Sequence, residues 1–244
     1  MSTKLLSVIS WARPFIGNNL LLLDGTTDPA LTNANMILGI MLGPPFVWEW
    51  NRNTATFTFT VGNTDATTVV ADFGFVESGY VEVPLSAPVD AGTIYQLQPR
   101  RQIEKTSQQA RPMFFSIFND DNAGNITLRL GDAAPDVAYT ATITYQKAPV
   151  FLTTIESSPG SVIPVPDKLM HIFRYGFLAM AYAFNQDFRF AETNQKFVAT
   201  LLSAQDGLDE SQRNIFLGNW YTMISDQTAA GIMSQQSAQA RGNV

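Results

Sequence analysis

Ile163-Pro164-Val165-Pro166-Asp167, then KLMHIFRYGFLAMAYAF (168–184), NQD (185–187) and FRFAETNQKFVATLL (188–202), is the stretch that decides the fold. The two prolines stop whatever precedes them, and Asp167 stands where a helix N-cap should be. Leu169, Ile172, Phe173, Phe177, Met180, Ala181 and Phe184 then recur at steps of three and four, which lays one wide apolar stripe along a helix. Asn185-Gln186-Asp187 breaks the pattern, and Phe190, Phe197, Val198, Leu201 and Leu202 open a second stripe. Two such helices joined by a short polar turn pack antiparallel. Their stripes need a partner surface, which the rest of the chain must supply.

Upstream, Met1–Phe15 reads as a short helix ended by Pro14 and Gly17-Asn18-Asn19, and Leu20–Leu23 is too short to classify. Asp28-Pro29 is a helix start, with Asp28 as cap and Pro29 at the first helical position. Ala30–Leu42 follows at helical spacing, and Gly43-Pro44-Pro45 closes it. From Thr54 the period falls to two. Thr56-Phe57-Thr58-Phe59-Thr60-Val61 alternates as a half-buried strand does. Phe73–Val76, Tyr80–Val83, Ile94–Leu97, Met113–Phe118, Ile126–Leu130 and Tyr139–Tyr145 continue the series, with hairpin loops at Asn119–Asn125 and Gly131–Asp136. Gln98–Arg111 is polar and reads as a loop. Downstream, Asp209 with Gln212 forms a capping-box pattern ahead of Ile215, Phe216, Trp220 and Ile224.

Short strands at roughly ten-residue spacing argue for an antiparallel sandwich or barrel. The elements together predict an α+β chain: an antiparallel β-sandwich module inserted into an α-helical bundle built from N- and C-terminal helices. The expected parts are N-terminal helices over 1–53, the β-module over 54–150, the helical hairpin and third helix over 151–224, and an extended C-terminal arm over 225–244.

Composition limits the function. Charged residues are 15% of the 244, below the usual quarter, so a covered surface, self-association above all, is expected. A net charge of −6 argues against a general nucleic-acid binder but leaves room for a local basic strip. With no cysteine, disulfides and thiolate metal sites are excluded. No signal-peptide core or apolar run of about 20 residues is present, and a soluble protein made in a reducing cytoplasm, without membrane contact, is expected.

Little in the chain points to catalysis. The one histidine, His171, stands alone on the first helix of the hairpin, and a lone helical histidine is more often packing or surface than a base. Asp120-Asp121-Asn122-Ala123-Gly124 lacks the spacing and closing Glu of a calcium loop and reads as a turn. No catalytic, cofactor or metal residue is expected. Arg100, Arg101, Lys105 and Arg111 are the basic cluster, either a solvated loop, a partner for an acidic neighbour, or a strip along a nucleic-acid backbone. Trp48 and Trp50 read as buried rather than as a stacking platform.

Three local features resemble the head–tail adaptor (neck) proteins of tailed bacteriophages, of the tail tubular protein A type. They are the helix Leu31–Leu42 leading to Trp48-Glu49-Trp50-Asn51, the closing strand Tyr139–Tyr145 with Gln146-Lys147-Ala148-Pro149, and Ile163–Asp167 with the long helix and Asp187-Phe188-Arg189-Phe190-Ala191-Glu192. The resemblance implies a virion protein at the head–tail junction and a homo-oligomeric ring of twelve copies between portal and a downstream tail or nozzle protein. Phage DNA would pass through it with transient, non-specific contact. The alternative classes are another tail-tube protein, or a virion-attached β-module that binds carbohydrate or acts as a glycosidase, which would need two carboxylates across a cleft. The tail Ser225–Val244 is too polar to fold alone. Ile232, Met233 and Arg241 within it are candidates for an arm that docks on a neighbouring subunit or the portal.

Overall fold

The computed structural model describes residues 3–16, 28–87, 89–121, 123–185, 187–205 and 207–222. They form two compact units, one from residues 47–148 and one from the chain on either side of it. Helices α1 (Leu5–Ile16), α2 (Asp28–Leu42), α3 (Met170–Phe184), α4 (Phe190–Ser203) and α5 (residues 210–222) belong to the flanking unit. Strands β1 (Arg52–Phe59), β2 (Asp65–Val69), β3 (Phe73–Glu82), β4 (Ile94–Pro99), β5 (Phe114–Asp120), β6 (Asn125–Gly131) and β7 (Tyr139–Lys147) make the other.

In the helical unit, α3 is the central element. Ile172, Phe173, Phe177 and Ala181 are fully buried, as the stripe predicts, whereas Phe184 at its end is 61% exposed. Gly176 is where the neighbours come closest. A Cβ there would lie 2.8 Å from the Phe197 ring of α4 and 3.0 Å from Ile37 of α2. The missing side chain lets three helices meet at one level, and Phe197 fills that space with no exposure. Trp220 of α5 packs beside it with ring centroids 5.3 Å apart. The indole N–H donates to Asn194 Oδ1 at 2.8 Å, which satisfies a polar atom in an otherwise apolar contact.

The ends of these helices follow the sequence in one case and depart from it in two. The Asp209–Gln212 capping box forms as read: Gln212 N donates to Asp209 Oδ1 (2.7 Å) and Asp209 N to Gln212 Oε1 (3.1 Å). Asp167 does not cap the hairpin helix. It opens a single 3-10 turn ahead of Met170, and its carboxylate takes the Thr3 hydroxyl instead. The Leu169 N–H donates to the Pro166 carbonyl at 2.9 Å and closes this tight turn, and the α-helix starts after it. Of the two expected stops of α1, Pro14 lies inside the helix, which continues to Ile16, and Gly17-Asn18-Asn19 lies outside the described residues. The bond that proline removes lies in the last turn on an exposed face, where water can take the freed carbonyl. Leu20–Leu23 and the Asp28 side chain lie outside the described residues.

Residues from opposite ends of the chain are stitched together within this unit. Ile163 N donates to Thr3 O (3.0 Å) and Leu5 N to Ser161 O (2.9 Å). Asn35 on α2 brackets the backbone of Leu152, donating to its carbonyl at 2.9 Å and accepting from its N–H at 2.7 Å.

The β-unit is a single seven-stranded sheet in the order β1-β7-β3-β4-β5-β6-β2. The edge strands β1 and β2 come back toward each other, with Thr68 Oγ1 donating to Thr56 O at 3.3 Å, so the sheet nearly closes into a barrel. Its interior holds Phe57, Phe59, Phe115, Leu128 and Ile143, all at most 1% exposed. Of the two architectures the strand spacing leaves open, the sheet follows the barrel more nearly than the expected antiparallel sandwich, which is corrected in two respects: there is one curled sheet, and β4 pairs β5 in parallel. Spacing between strands reports how many there are, not which ones pair. The parallel step follows from the connection between Pro99 and Phe114, which crosses over instead of turning back. The expected strands Phe73–Val76 and Tyr80–Val83 are one strand, β3, with two register shifts against β7.

Candidate functional site

The candidate residues of this chain fall in three places along the sequence: the steps that carry the family resemblance, the basic loop, and the C-terminal tail.

The aromatic step and the closing strand bond to each other directly. Trp48 is 4% exposed and Gln146 is fully buried. The Gln146 side-chain amide accepts from Trp48 N (3.1 Å) and donates to Trp48 O (3.0 Å), and it also donates to Glu77. A side chain thereby makes the pair of bonds that a neighbouring strand would make. One residue on, Asn51 Nδ2 donates to Lys147 O at 2.9 Å. This arrangement answers the question about the tryptophans: Trp48 is held inside the β-unit, with Trp50 packed 6.1 Å from it, and is not an open stacking surface.

The Asp187-Phe188-Arg189 step works in the helical unit. The Asp187 carboxylate takes the Arg189 backbone N–H at 2.9 Å and its guanidinium at 2.6 Å, and the guanidinium keeps the Asp187 pKa below its ordinary value. Arg189 Nη1 also donates to Phe15 O at 2.8 Å, and the Tyr182 hydroxyl donates to the same oxygen at 3.3 Å. Phe15 lies in the last turn of α1, where backbone carbonyls have no helical partner and a cation is favoured. Phe188, between the two charged residues, projects outward and is 90% exposed.

The basic loop is a strap over the outer face of the near-barrel. Ile103 sits directly over Gly131, where any Cβ would collide with it at 2.1 Å. Backbone bonds from Ala110 N to Ala134 O (3.0 Å) and Ala134 N to Gln108 O (2.8 Å) fasten the strap's second half. Arg100, Arg101, Lys105 and Arg111 are all exposed. Arg100 stacks on the Phe114 ring at 3.3 Å and Arg111 on the Tyr95 ring at 4.2 Å. Lys105 pairs with Asp65 at 3.0 Å, one of the roles open to it in the sequence.

Asp65 leads to a residue that sequence reasoning missed. Arg129 on β6 is 8% exposed and binds the Asp65 carboxylate through two bonds, Nε at 2.7 Å and Nη2 at 2.9 Å. Its plane lies 3.4 Å from the Phe118 ring, and Nη1 donates to Ile103 O at 3.4 Å. The guanidinium beside it holds Asp65 below the usual carboxylate range, against the opposing effect of burial. The signal was available only after the fact. Arg129 points outward in a strand that was read, but Asp65 lies in β2, whose Asp-Ala-Thr-Thr-Val composition gives no apolar alternation.

Asp121 in the β5–β6 hairpin is consumed locally. Its carboxylate accepts from Ala123 N (2.8 Å) and Asn125 N (2.9 Å), as a turn requires. His171 is exposed in the first turn of α3. Ile232, Met233 and Arg241, with the rest of 225–244, lie outside the described residues.

The family model described as SU10 adaptor protein matches residues 40–222, which takes in the aromatic step, the closing strand and the Asp187-Phe188-Arg189 step but only the end of the helix before them. No curated protein matches the chain. Among the described residues no helix is long and apolar enough to cross a membrane.

Proposed function

Because the chain belongs to the SU10 adaptor protein family, a family of phage structural adaptors, we propose that it forms the ring that joins portal to tail in a tailed phage. The family match over residues 40–222 carries this reading. It is supported by a surface with few charges and by conspicuous aromatic steps that serve internal bonding, as in a subunit whose task is to hold shape. The finer reading is a neck protein of the tail tubular protein A type, with helices, β-module and C-terminal arm in chain order, twelve copies around the DNA path, and a nozzle or tail protein below. The protein is not an enzyme on this reading.

Electron microscopy of the purified protein, alone and with portal-containing heads, tests it. Closed rings that cap the portal are expected. A protein that stays monomeric at high concentration and does not bind heads contradicts it. His171→Ala should leave assembly unchanged, and loss of a hydrolytic activity in that variant would overturn the non-enzymatic reading.

Within the ring, Arg100, Arg101 and Arg111 are proposed to touch the DNA backbone weakly. Stacking on Phe114 and Tyr95 fixes two of the guanidinium planes while their edges stay exposed, which suits phosphate contact without base readout. Replacing one of them by Ala should lower the salt slope of DNA binding by about 1. An unchanged slope removes the strap from the DNA path.

A further inference from the structure

An apolar groove of about 500 Å³ opens in the helical unit between the C-terminal end of α2 and α5. Its α2 side owes its openness to Gly39 and Gly43, four residues apart. Gly43 N donates to Gly39 O at 3.0 Å, and a Cβ on Gly43 would lie 2.6 Å from that oxygen, so no side chain can fill the space. Ile40, Pro44 and Pro45 form one wall, and Ile215, Phe216 and Trp220 the other. Phe216 is anchored from behind by an edge contact with Phe46 at 4.8 Å, so this wall is preformed. Ile215 is 60% exposed on the rim, an apolar side chain left in water at the mouth of an apolar opening.

The chain that follows Thr222 has the complementary character. Residues 225–244 hold only two charges, Asp226 and Arg241, and place Ile232-Met233 directly after Gly231. Ile232 stands ten residues beyond Thr222, a reach of about 33 Å when extended. That suffices to leave the parent helix and arrive at a neighbouring subunit. The six wall residues carry no charge, so an almost uncharged segment enters without desolvating an unpaired ion.

We infer that the groove receives residues 225–244 of the next copy, with Ile232 and Met233 as the buried anchors. The inference rests on the ring reading and names one of its contacts. A ring needs two different, mutually complementary patches on every subunit. The donor segment and the acceptor groove are such a pair on one chain. A tail that filled its own groove would close each copy on itself and contribute nothing to the ring.

The chain contains no cysteine, which makes cross-linking selective. Full-length Ile40→Cys and Met233→Cys proteins are mixed and oxidised, and a third protein carries both changes. The expected result is a covalent dimer from the mixture and a ladder of higher multimers from the double variant. Adding Ile232→Asp to the Met233→Cys chain should reduce the cross-link at least tenfold. A cross-link confined within single chains of the double variant overturns the inference, as does a mixture that yields none. Light scattering on the Ile232→Asp, Met233→Asp protein separates the two readings. Rings that persist unchanged there refute the arm while leaving the ring standing, and a monomeric parent protein refutes both.

Discussion

The helical unit and the β-unit are stabilised by different means. In the helical unit the crossing of three helices is apolar: Gly176 admits Phe197 and Ile37, and Trp220 closes over them. Its polar bonds sit at chain turns and helix ends, as in the Asp209–Gln212 box and the Arg189–Phe15 contact, with the Asn35–Leu152 bracket and the Trp220–Asn194 bond as its ties between remote elements. In the β-unit, buried polar groups tie elements remote in sequence. Gln146 holds Trp48, the Tyr145 hydroxyl donates to Asp72 at 2.6 Å, and Arg129 holds Asp65. Burial and the Asp72 carboxylate both push the Tyr145 hydroxyl pKa upward, so it stays a donor. The comparison teaches that volume changes should be felt most in the first unit, whereas loss of one polar partner, or a change of pH, should be felt most in the second.

Four substitutions test that division. Phe197→Ala should have the largest effect, about 3–5 kcal/mol, because it empties a fully buried site between three helices. Denaturant unfolding should give the same loss across neutral and acidic pH; a loss under ~1 kcal/mol would place the crossing outside the core.

Gln146→Leu comes next. It removes both Gln146 bonds to the Trp48 backbone; the Trp48 carbonyl keeps the Asn51 N–H at 3.0 Å, so the cost falls mainly on the buried Trp48 N–H, about 1–3 kcal/mol. A neutral outcome would mean that the bracket is ornamental and that packing alone secures the β-unit.

Asp65→Asn should cost about 1.5–3 kcal/mol at pH 7, the range for hydrogen bonds to charged groups. The sign of its pH dependence is fixed. The folded pKa of Asp65 is depressed, so its contribution is present above the ordinary value of 3.8 and is lost as pH falls through the lower folded value. The gap between parent and variant should therefore shrink below pH 3.8, as followed by thermal unfolding. A gap that is constant with pH would assign the loss to packing.

Lys105→Ala, at the exposed end of the same network, should cost under about 1 kcal/mol. An effect as large as that of Asp65→Asn would show that the strap depends on that pair.

How much of this was legible in the sequence depended on the range of the interaction. Local patterns translated directly. The α3 stripe, the capping box and the alternation of β1 each depend on residues within one or two turns of each other, and each is in the structure. Features set by partners far along the chain were invisible. The parallel pairing of β4 with β5, strand β2 and the Asp65–Arg129 bond all depend on which strands become neighbours, and hydrophobic period says nothing about that. The Asp167 cap failed for a subtler reason. An Asp before an apolar stripe is a good start signal, but Pro166 and the Thr3 hydroxyl offered its backbone and carboxylate other arrangements. The basic cluster was legible as a charged loop. Its aromatic seats, Phe114 and Tyr95, were not, because they face outward only once the strand register is known.

The claim that organises these observations is that the chain works as a subunit of a closed ring. Negative-stain electron microscopy of the purified full-length protein, with its mass in solution measured by light scattering on the same sample, addresses that claim most directly. The account predicts closed rings with a central opening and a mass that is an integral multiple, twelvefold, of the 26.8 kDa chain. A folded protein that remains a single 26.8 kDa particle at every concentration, and still does so with portal-containing heads present, would contradict it.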